Sequence, residues 1–591
     1  MGDPITRIFE WFDWHAWGYW MIALSALGLL LATVAAAVTA PEHAALASRF
    51  RRVAGSRILF VAAVLFTFFA FRWPAFFAGQ MENPDEAQWI AGALTLRDGG
   101  LPWKSWDGQT SGPLNPYALL LTRPLGLPLN YLGARVLASL FLAVAVLALH
   151  AAVRRHTPEW IARLAVLPAV PLWAFGSFHD LLQYSSEHVP VLLLALAGWA
   201  ASVALARRTG RGPLLWLLLA GALCSAPFFA KPQSLPIAGA LLLLIGGGIW
   251  IPHTTATAAR RRVETAALCA GGLVPLAVFA GYITLYGLGA QIRVFFWQSN
   301  ALYAAQREYP FCVSPEAFFR LTTPAPGLTA AILGSGGFGL VMLVTAWNAH
   351  RDGRARLLGA WLLLAAALVA VFAPGRFFTH YLHFFVLPLC WWAAVHLDGF
   401  RHSFAGDETV GLWRRRGGLA LVFGLSVLAW PTWERCQQYR PMNGQLFFWR
   451  QRQTSPVAER IRAEAKPGDR LVVWGWAPGY HVETGLPQGV RDGHSERSLN
   501  PGPLQSHYRS RVLFDLRRNQ PRWFVDAVAP GQFGYQERSL FGHDTWPELR
   551  ELIAEHYELI AEIAGVRLYR RRPAPAGTSG KNNLAPPQPA P

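Results

Sequence analysis

Apolar residues fill twelve long stretches of the first 433 positions, near 17–39, 58–79, 131–153, 160–178, 188–206, 213–229, 234–251, 264–287, 327–349, 356–373, 379–398 and 417–433. A hydrocarbon core of about 30 Å is crossed by roughly 20 apolar residues in a helix, so the pattern predicts about twelve membrane-spanning helices. The runs between 160 and 251 are the shortest and are interrupted by Pro and Gly. Two regions break the rhythm. Residues 80–130 exceed a simple connector: they predict a helix over 84–98, a Gly/Pro-rich turn region, and a short apolar helix near 116–127. From 434 the pattern becomes that of a folded α/β domain. It predicts a helix (455–466), a strand (470–476), a helix (504–518), a strand (522–528), a helix (546–556) and a final strand pair ending near 571.

Basic clusters fall in alternate connections, at 48–57, 154–156, 207–211, 260–262, 351–356 and 413–417. Under the positive-inside rule every second loop is cytoplasmic. Both termini and the long loop 80–130 are then exterior, which in a bacterium is the periplasm. The first run is expected to stay as an anchor, because the acidic start "MGDPITRIFEWFDWHAW" lacks the basic n-region of a signal peptide. The expected architecture is a polytopic all-α membrane bundle with a small C-terminal periplasmic α/β domain. Its parts are an extra N-terminal span and basic loop (1–57), a transmembrane module (58–433) carrying the large first loop (80–130), the α/β domain (434–571) and a disordered Pro/Ala-rich tail (572–591).

Composition supports this class. The chain of 591 residues is 53% hydrophobic and only 15% charged, where soluble domains are about 25% charged. Its net charge of +18 resides in short loop clusters rather than in one stripe, and no nucleic-acid-binding motif is present, so nucleic acid is not an expected partner. Five widely spaced cysteines without a CxxC define neither a zinc site nor a disulfide framework, and a bridge between Cys312 and Cys436 stays open.

The exterior face concentrates the candidate chemistry. "ENPDEAQW" places Asp85 and Glu86 just after a span, with Lys104, Asp107 and Gln109 later in the same loop. Asn83-Pro84-Asp85-Glu86 reads equally as a helix start, with Asn at the N-cap and acids in the first turn. "FHDLLQYSSEHVP" adds Asp180 and Glu187, "FFAKPQSLP" adds Lys231, and "APGRFFTHYLHFF" adds Arg376, His380 and Tyr381. Ionisable groups at a membrane boundary are costly unless paired or functional, and basic residues in short exterior loops run against the topology rule. Acids and bases on one face suit transfer from a phosphate-activated lipid: cations neutralise the leaving phosphate, and a carboxylate takes the proton of an attacking hydroxyl. The reading expects them to converge on one cavity at the periplasmic leaflet. Trp103, Trp106, Phe295, Phe296 and Trp297 suit sugar stacking or a lipid groove, and equally an interfacial belt.

An Asp-Glu pair soon after a span, a helix, a "GG" turn and "GPLNPY", followed later by "YSSEHVP", "AKPQS" and "PGRFFTHYLHFFVLP", resembles the C-type integral-membrane glycosyltransferases. Within these the sequence is most similar to the protein O-mannosyltransferase and aminoarabinose–lipid A transferase group, over roughly residues 58–400. The resemblance implies an inverting transferase that moves a sugar from a polyprenyl-phosphate carrier to an acceptor hydroxyl on a glycan, lipid or protein at the bacterial inner membrane. It gives Asp85 the role of general base and Glu86 an assisting role. Lys231 and Arg376, with His380 and Tyr381, hold the donor phosphate; Asp180 or Glu187 supplies a second acid; Lys104, Asp107 and Gln109 contact acceptor or sugar. It implies no required cofactor and leaves a divalent metal open. "SGPLNP" stands where the lipid A enzymes carry Lys-Pro-Pro, so no lysine role transfers there. Two other classes fit the span count: a secondary transporter and a non-catalytic lipid-binding assembly subunit. A transporter keeps its charges near the bilayer midplane, often in two related halves, and no such halves are evident.

Overall fold

The computed structural model describes chiefly residues 15–39, 55–76, 83–175, 179–206, 212–251, 257–305, 351–376, 378–403, 409–438 and 454–573. Among them eight helices are long and apolar enough to cross a membrane: Trp17–Thr39, Tyr131–Val153, His188–Ala206, Gly212–Phe229, Pro232–Trp250, Ala258–Tyr286, Arg354–Phe372 and Thr379–Gly399. Helices Arg57–Phe76 and Thr409–Gln438 occupy two more of the expected runs. Most of the run 327–349, Cys312 and the end of the tail lie outside the described residues.

The expected span 160–178 is not one helix. Glu159–Ala165 is a short α-helix, and a π-helical turn follows over Val170–Ala174. Pro168 and Pro171 lack the N–H groups that a continuous helix needs there. Leu164 O and Leu167 O, which these prolines cannot serve, accept instead from Leu167 N and Val170 N at 3.0 Å. Arg72, fully buried in helix Arg57–Phe76, binds the backbone that follows. Its guanidinium donates to the oxygens of Trp173 (2.8 Å), Leu181 (2.9 Å) and Leu182 (2.8 Å), and its Nε to Ser139 Oγ (2.8 Å). Unsatisfied carbonyls in an apolar medium cost several kcal/mol each, so this arginine stabilises the irregular backbone after the break.

The chain divides into two compact units. The first comprises Met1–Ala75, Ala138–Tyr282 and Ala304–Trp449; the second comprises Phe76–Leu137, Ile283–Tyr303 and Arg450–Pro591. The long loop 80–130 therefore belongs with the C-terminal domain. In that second unit, α1 (Pro84–Arg97) begins at Asn83, whose side chain accepts from Asp85 N, with Pro84 in its first turn. The capping reading of this stretch is thus realised, by Asn83 rather than by the acids. Residues 87–96 of α1 are all buried. At Gly92 an added Cβ would lie 2.3 Å from Trp106 Nε1, so the missing side chain lets the indole sit against the helix.

The C-terminal elements fall where the pattern put them. Strands β1 (Leu471–Trp474), β2 (Trp523–Asp526), β3 (Tyr557–Ile563) and β4 (Val566–Arg571) form a sheet of order β1-β2-β4-β3, parallel between β1 and β2 and antiparallel elsewhere. β1 and β2 are apolar almost throughout because both faces are covered. Val472, Trp474 and Phe524 pack with Val512 and Leu516 of α2 (Gln505–Asn519) and with Leu549 and Ile553. Leu471, Val473, Trp523 and Val525 pack on the other side with Val457 and Ile461.

Candidate active site

In the second unit the adjacent acids of α1 have different fates. Glu86 is fully buried, and its carboxylate is held by Arg135, with contacts of 3.1, 3.0 and 2.6 Å. Arg135 stands in the second turn of helix Tyr131–Val153 and covers the Tyr131 ring at 5.1 Å. Asp85 lies in the first helical turn and is part-exposed. A bidentate guanidinium–carboxylate pair leaves Glu86 little capacity for another partner; Asp85, one position away, is on the wetter side of the helix.

Asp107 is consumed in the same way. Arg511 of α2 donates Nη1 to Asp107 (2.5 Å) and Nη2 to both oxygens of Asp492 (2.6 and 2.8 Å), and all three residues are buried. Burial opposes the ionisation of Asp107, but Arg511 and then Arg497 outweigh it and hold its carboxyl below the usual range. Burial and the neighbouring Asp107 charge instead push Asp492 up against the pull of Arg511. Gln109 follows in a left-handed conformation (φ 60°), its N–H donating to Asp107 Oδ1 at 2.8 Å, and its amide lies 3.2 Å from His494 Nε2. Lys104 is exposed, its ammonium 5.6 Å from the centroid of the Tyr286 ring. Trp103 and Trp106 are buried; Trp103 meets Phe295 edge-on at 5.4 Å, while Trp297 is 74% exposed.

In the first unit the charged residues of three separate turns meet. Lys231 takes an extended conformation between two 3₁₀ turns, Ala226–Phe229 and Pro232–Ser234. Its Nζ donates to Ser186 Oγ at 3.0 Å, lies 3.3 Å from Glu187 Oε1, and stands 5.5 Å from the centroid of the Tyr381 ring. Ser186 Oγ donates in turn to Glu187, at 3.2 and 3.3 Å. His380 closes the group: its Nδ1 is 3.3 Å from Asp180 Oδ2 and its Nε2 is 4.0 Å from Glu187 Oε1. Lys231, Glu187, Asp180, His380 and Tyr381 are thus neighbours. Arg376 follows Gly375 (φ 65°) in the turn leading to the Thr379–Leu382 segment and is part-exposed. Among the described residues no group of three or more His, Cys, Asp and Glu side chains is arranged to hold a metal ion.

Sequence reasoning did not single out Arg72, Gln88, Arg135, His494, Glu496, Arg497 or Arg511. The signal for Arg72 was a lone arginine within "FTFFAFRWPAFF"; for His494 and its neighbours it was the charged run "RDGHSER" between two strands.

No family model and no curated protein sequence matches the chain. Among solved structures it is similar to ArnT from Cupriavidus metallidurans in the apo state, with TM-score 0.51 and 13% identity over 88% of this chain and 98% of that one. It is also similar to the same protein bound to undecaprenyl phosphate, with TM-score 0.50 and 14% identity over 90% and 99% of the two chains. At such identities the likeness is one of fold. The chain has the C-type membrane glycosyltransferase fold that its loop motifs resemble.

Proposed function

We propose that this protein is an inverting glycosyltransferase that moves a sugar from a polyprenyl-phosphate carrier to an acceptor hydroxyl at the periplasmic face of the bacterial inner membrane. The observation carrying this reading is the asymmetry of the acid pair: Glu86 is spent on Arg135, and Asp85 stays part-exposed at a helix start. The fold supports it, because ArnT of the same fold has been crystallised with undecaprenyl phosphate.

The chemistry follows from the side chains. The acceptor oxygen attacks the anomeric carbon from the face opposite the phosphate, and Asp85 takes the hydroxyl proton as the new C–O bond forms. The bond from that carbon to the phosphate oxygen breaks, its electron pair stays on the departing polyprenyl phosphate, and the configuration inverts. The leaving phosphate gains negative charge, which Lys231 and Arg376 neutralise, with His380 and Tyr381 beside Lys231 as hydrogen-bonding groups. Asp180 and Glu187 fix the ammonium and the imidazole in place. No organic cofactor enters this scheme. Glu86 and Asp107 act by holding the first loop in shape, and Gln109 by its contact with His494.

Asp85→Asn tests the reading. Purified full-length protein supplied with radiolabelled polyprenyl-phosphate sugars should transfer label, and the variant should transfer at least about a hundredfold less. Its melting temperature should match the parent, since Asn83 rather than Asp85 caps the helix. Turnover by Asp85→Asn close to the parent rate would remove this residue from the mechanism.

A further inference from the structure

The loop 488–496 of the C-terminal domain runs along α1 in the opposite direction, one helical turn at a time. Gln488 N donates to Thr95 Oγ1 at 3.0 Å. At Gly493 an added Cβ would lie 3.8 Å from the Ala91 Cβ. His494 Nε2 lies 3.2 Å from Gln88 Oε1. Positions 95, 91 and 88 form one stripe of the helix, and Asp85 is the next member of it. Ser495 turns its hydroxyl to Val473 O at 3.0 Å, and Glu496 follows it, its N–H donating to His494 Nδ1 at 3.4 Å.

Glu496 and its neighbour Arg497 are only partly committed. One Glu496 oxygen accepts from Asn500 Nδ2 at 2.7 Å; the other has no hydrogen-bond partner among the described residues. Arg497 donates Nη1 to Ser299 Oγ (3.3 Å) and to Tyr508 OH, and lies over the Tyr508 ring at 5.0 Å. Among the described residues it has no carboxylate within ion-pair reach, and its Nε and Nη2 have no partner. Both residues are half-buried, and Asn500 is exposed. Burial, with smaller contributions from Asp492 and Asp85, pushes the Glu496 carboxyl above its usual range despite Arg497 and Asn500. The neighbouring Trp476 stacks on His494 at 5.6 Å and meets Phe533, 45% exposed, edge-on at 5.0 Å.

A carboxylate that accepts, a guanidinium that donates and an amide that does both match adjacent hydroxyl groups, each of which gives one proton and receives one. The aromatic side chains nearby suit the C–H face of a pyranose. We propose that Glu496 and Arg497 form an acceptor subsite beside Asp85, and that the acceptor's reacting end is a saccharide. This rests on the glycosyl transfer proposed above, so binding and transfer are measured separately.

Full-length protein in nanodiscs is mixed with methyl glucoside, methyl galactoside and methyl mannoside, and saturation transfer from protein to sugar protons is recorded by NMR. At least one glycoside should receive saturation, and Glu496→Gln and Arg497→Lys should each weaken that binding at least tenfold while the melting temperature stays within 3 °C of the parent. Labelled donor consumption is followed in parallel. Saturation unchanged in both folded variants, absent from the parent, or passing instead to a threonine-rich peptide overturns the saccharide subsite, even if transfer proceeds. Glycoside binding that is lost in the variants, in a protein that consumes no donor, upholds the subsite and overturns the transferase reading.

Discussion

The charged clusters at the candidate residues of the two units are built in different ways. In the second, guanidinium groups close on carboxylates: Arg135 on Glu86, Arg511 on Asp107 and Asp492, Arg491 on Asp515. In the first, a compact ammonium rests on a serine hydroxyl and one carboxylate oxygen, with an imidazole close by. A planar guanidinium fits a carboxylate in bidentate fashion and fixes geometry; an ammonium is a point charge whose partners exchange easily. Under the proposed mechanism the closed pairs hold the framework and the ammonium group binds the phosphate.

The largest effect is expected where a closed pair is broken. Arg511→Met strands two buried carboxylates and should cost about 3–5 kcal/mol, read by denaturant or thermal melting, with transfer by the surviving folded fraction largely retained. A stable Arg511→Met protein would show that the knot is not structural. Next comes Lys231→Met, which should destabilise less than Arg511→Met, because Ser186 and His380 stay beside the buried Glu187, and should lower transfer by about a hundredfold or more, with partial recovery in Lys231→Arg. Loss of folding without loss of specific activity would reverse the comparison.

The smallest effect is set by pH. Burial holds His494 down to about 3 and His481 down to about 4, so both stay neutral in the folded protein. In the unfolded chain each binds a proton below about 6.5. Between these limits the unfolded state carries more protons, so stability rises with pH and is lost as pH falls from about 6.5 through 4. The expected loss is about 1–2 kcal/mol per histidine by pH 5, seen as a lower melting temperature than at pH 7.5. A melting temperature that climbs on acidification would show that these imidazoles gain partners when charged.

Much of this was legible in sequence. Helix Pro84–Arg97 followed from Asn-Pro at its start, and the strands and helices of the C-terminal domain followed from apolar runs between turn residues. Glu86 could not be told from Asp85, because its partner Arg135 lies in the second turn of an apolar span, where it reads as an interfacial residue. The broken run 160–178 looked continuous because it is apolar almost throughout, and Arg72, which binds the backbone after the break, lies about a hundred positions away. Contacts between positions far apart leave no periodic trace, and for that reason "RDGHSER" read as an ordinary loop.

The pairing of Gln88 with His494 spans 406 positions. At about 5–20 residues per second of synthesis, the helix bearing Asp85 emerges about 20–80 s before the loop that lies along it. Until then Gln88 and Thr95 lack these partners. Under the proposed function, competence is therefore a late event in the life of each molecule, and a ribosome that stalls before the last domain leaves behind a chain whose first loop lacks its partner.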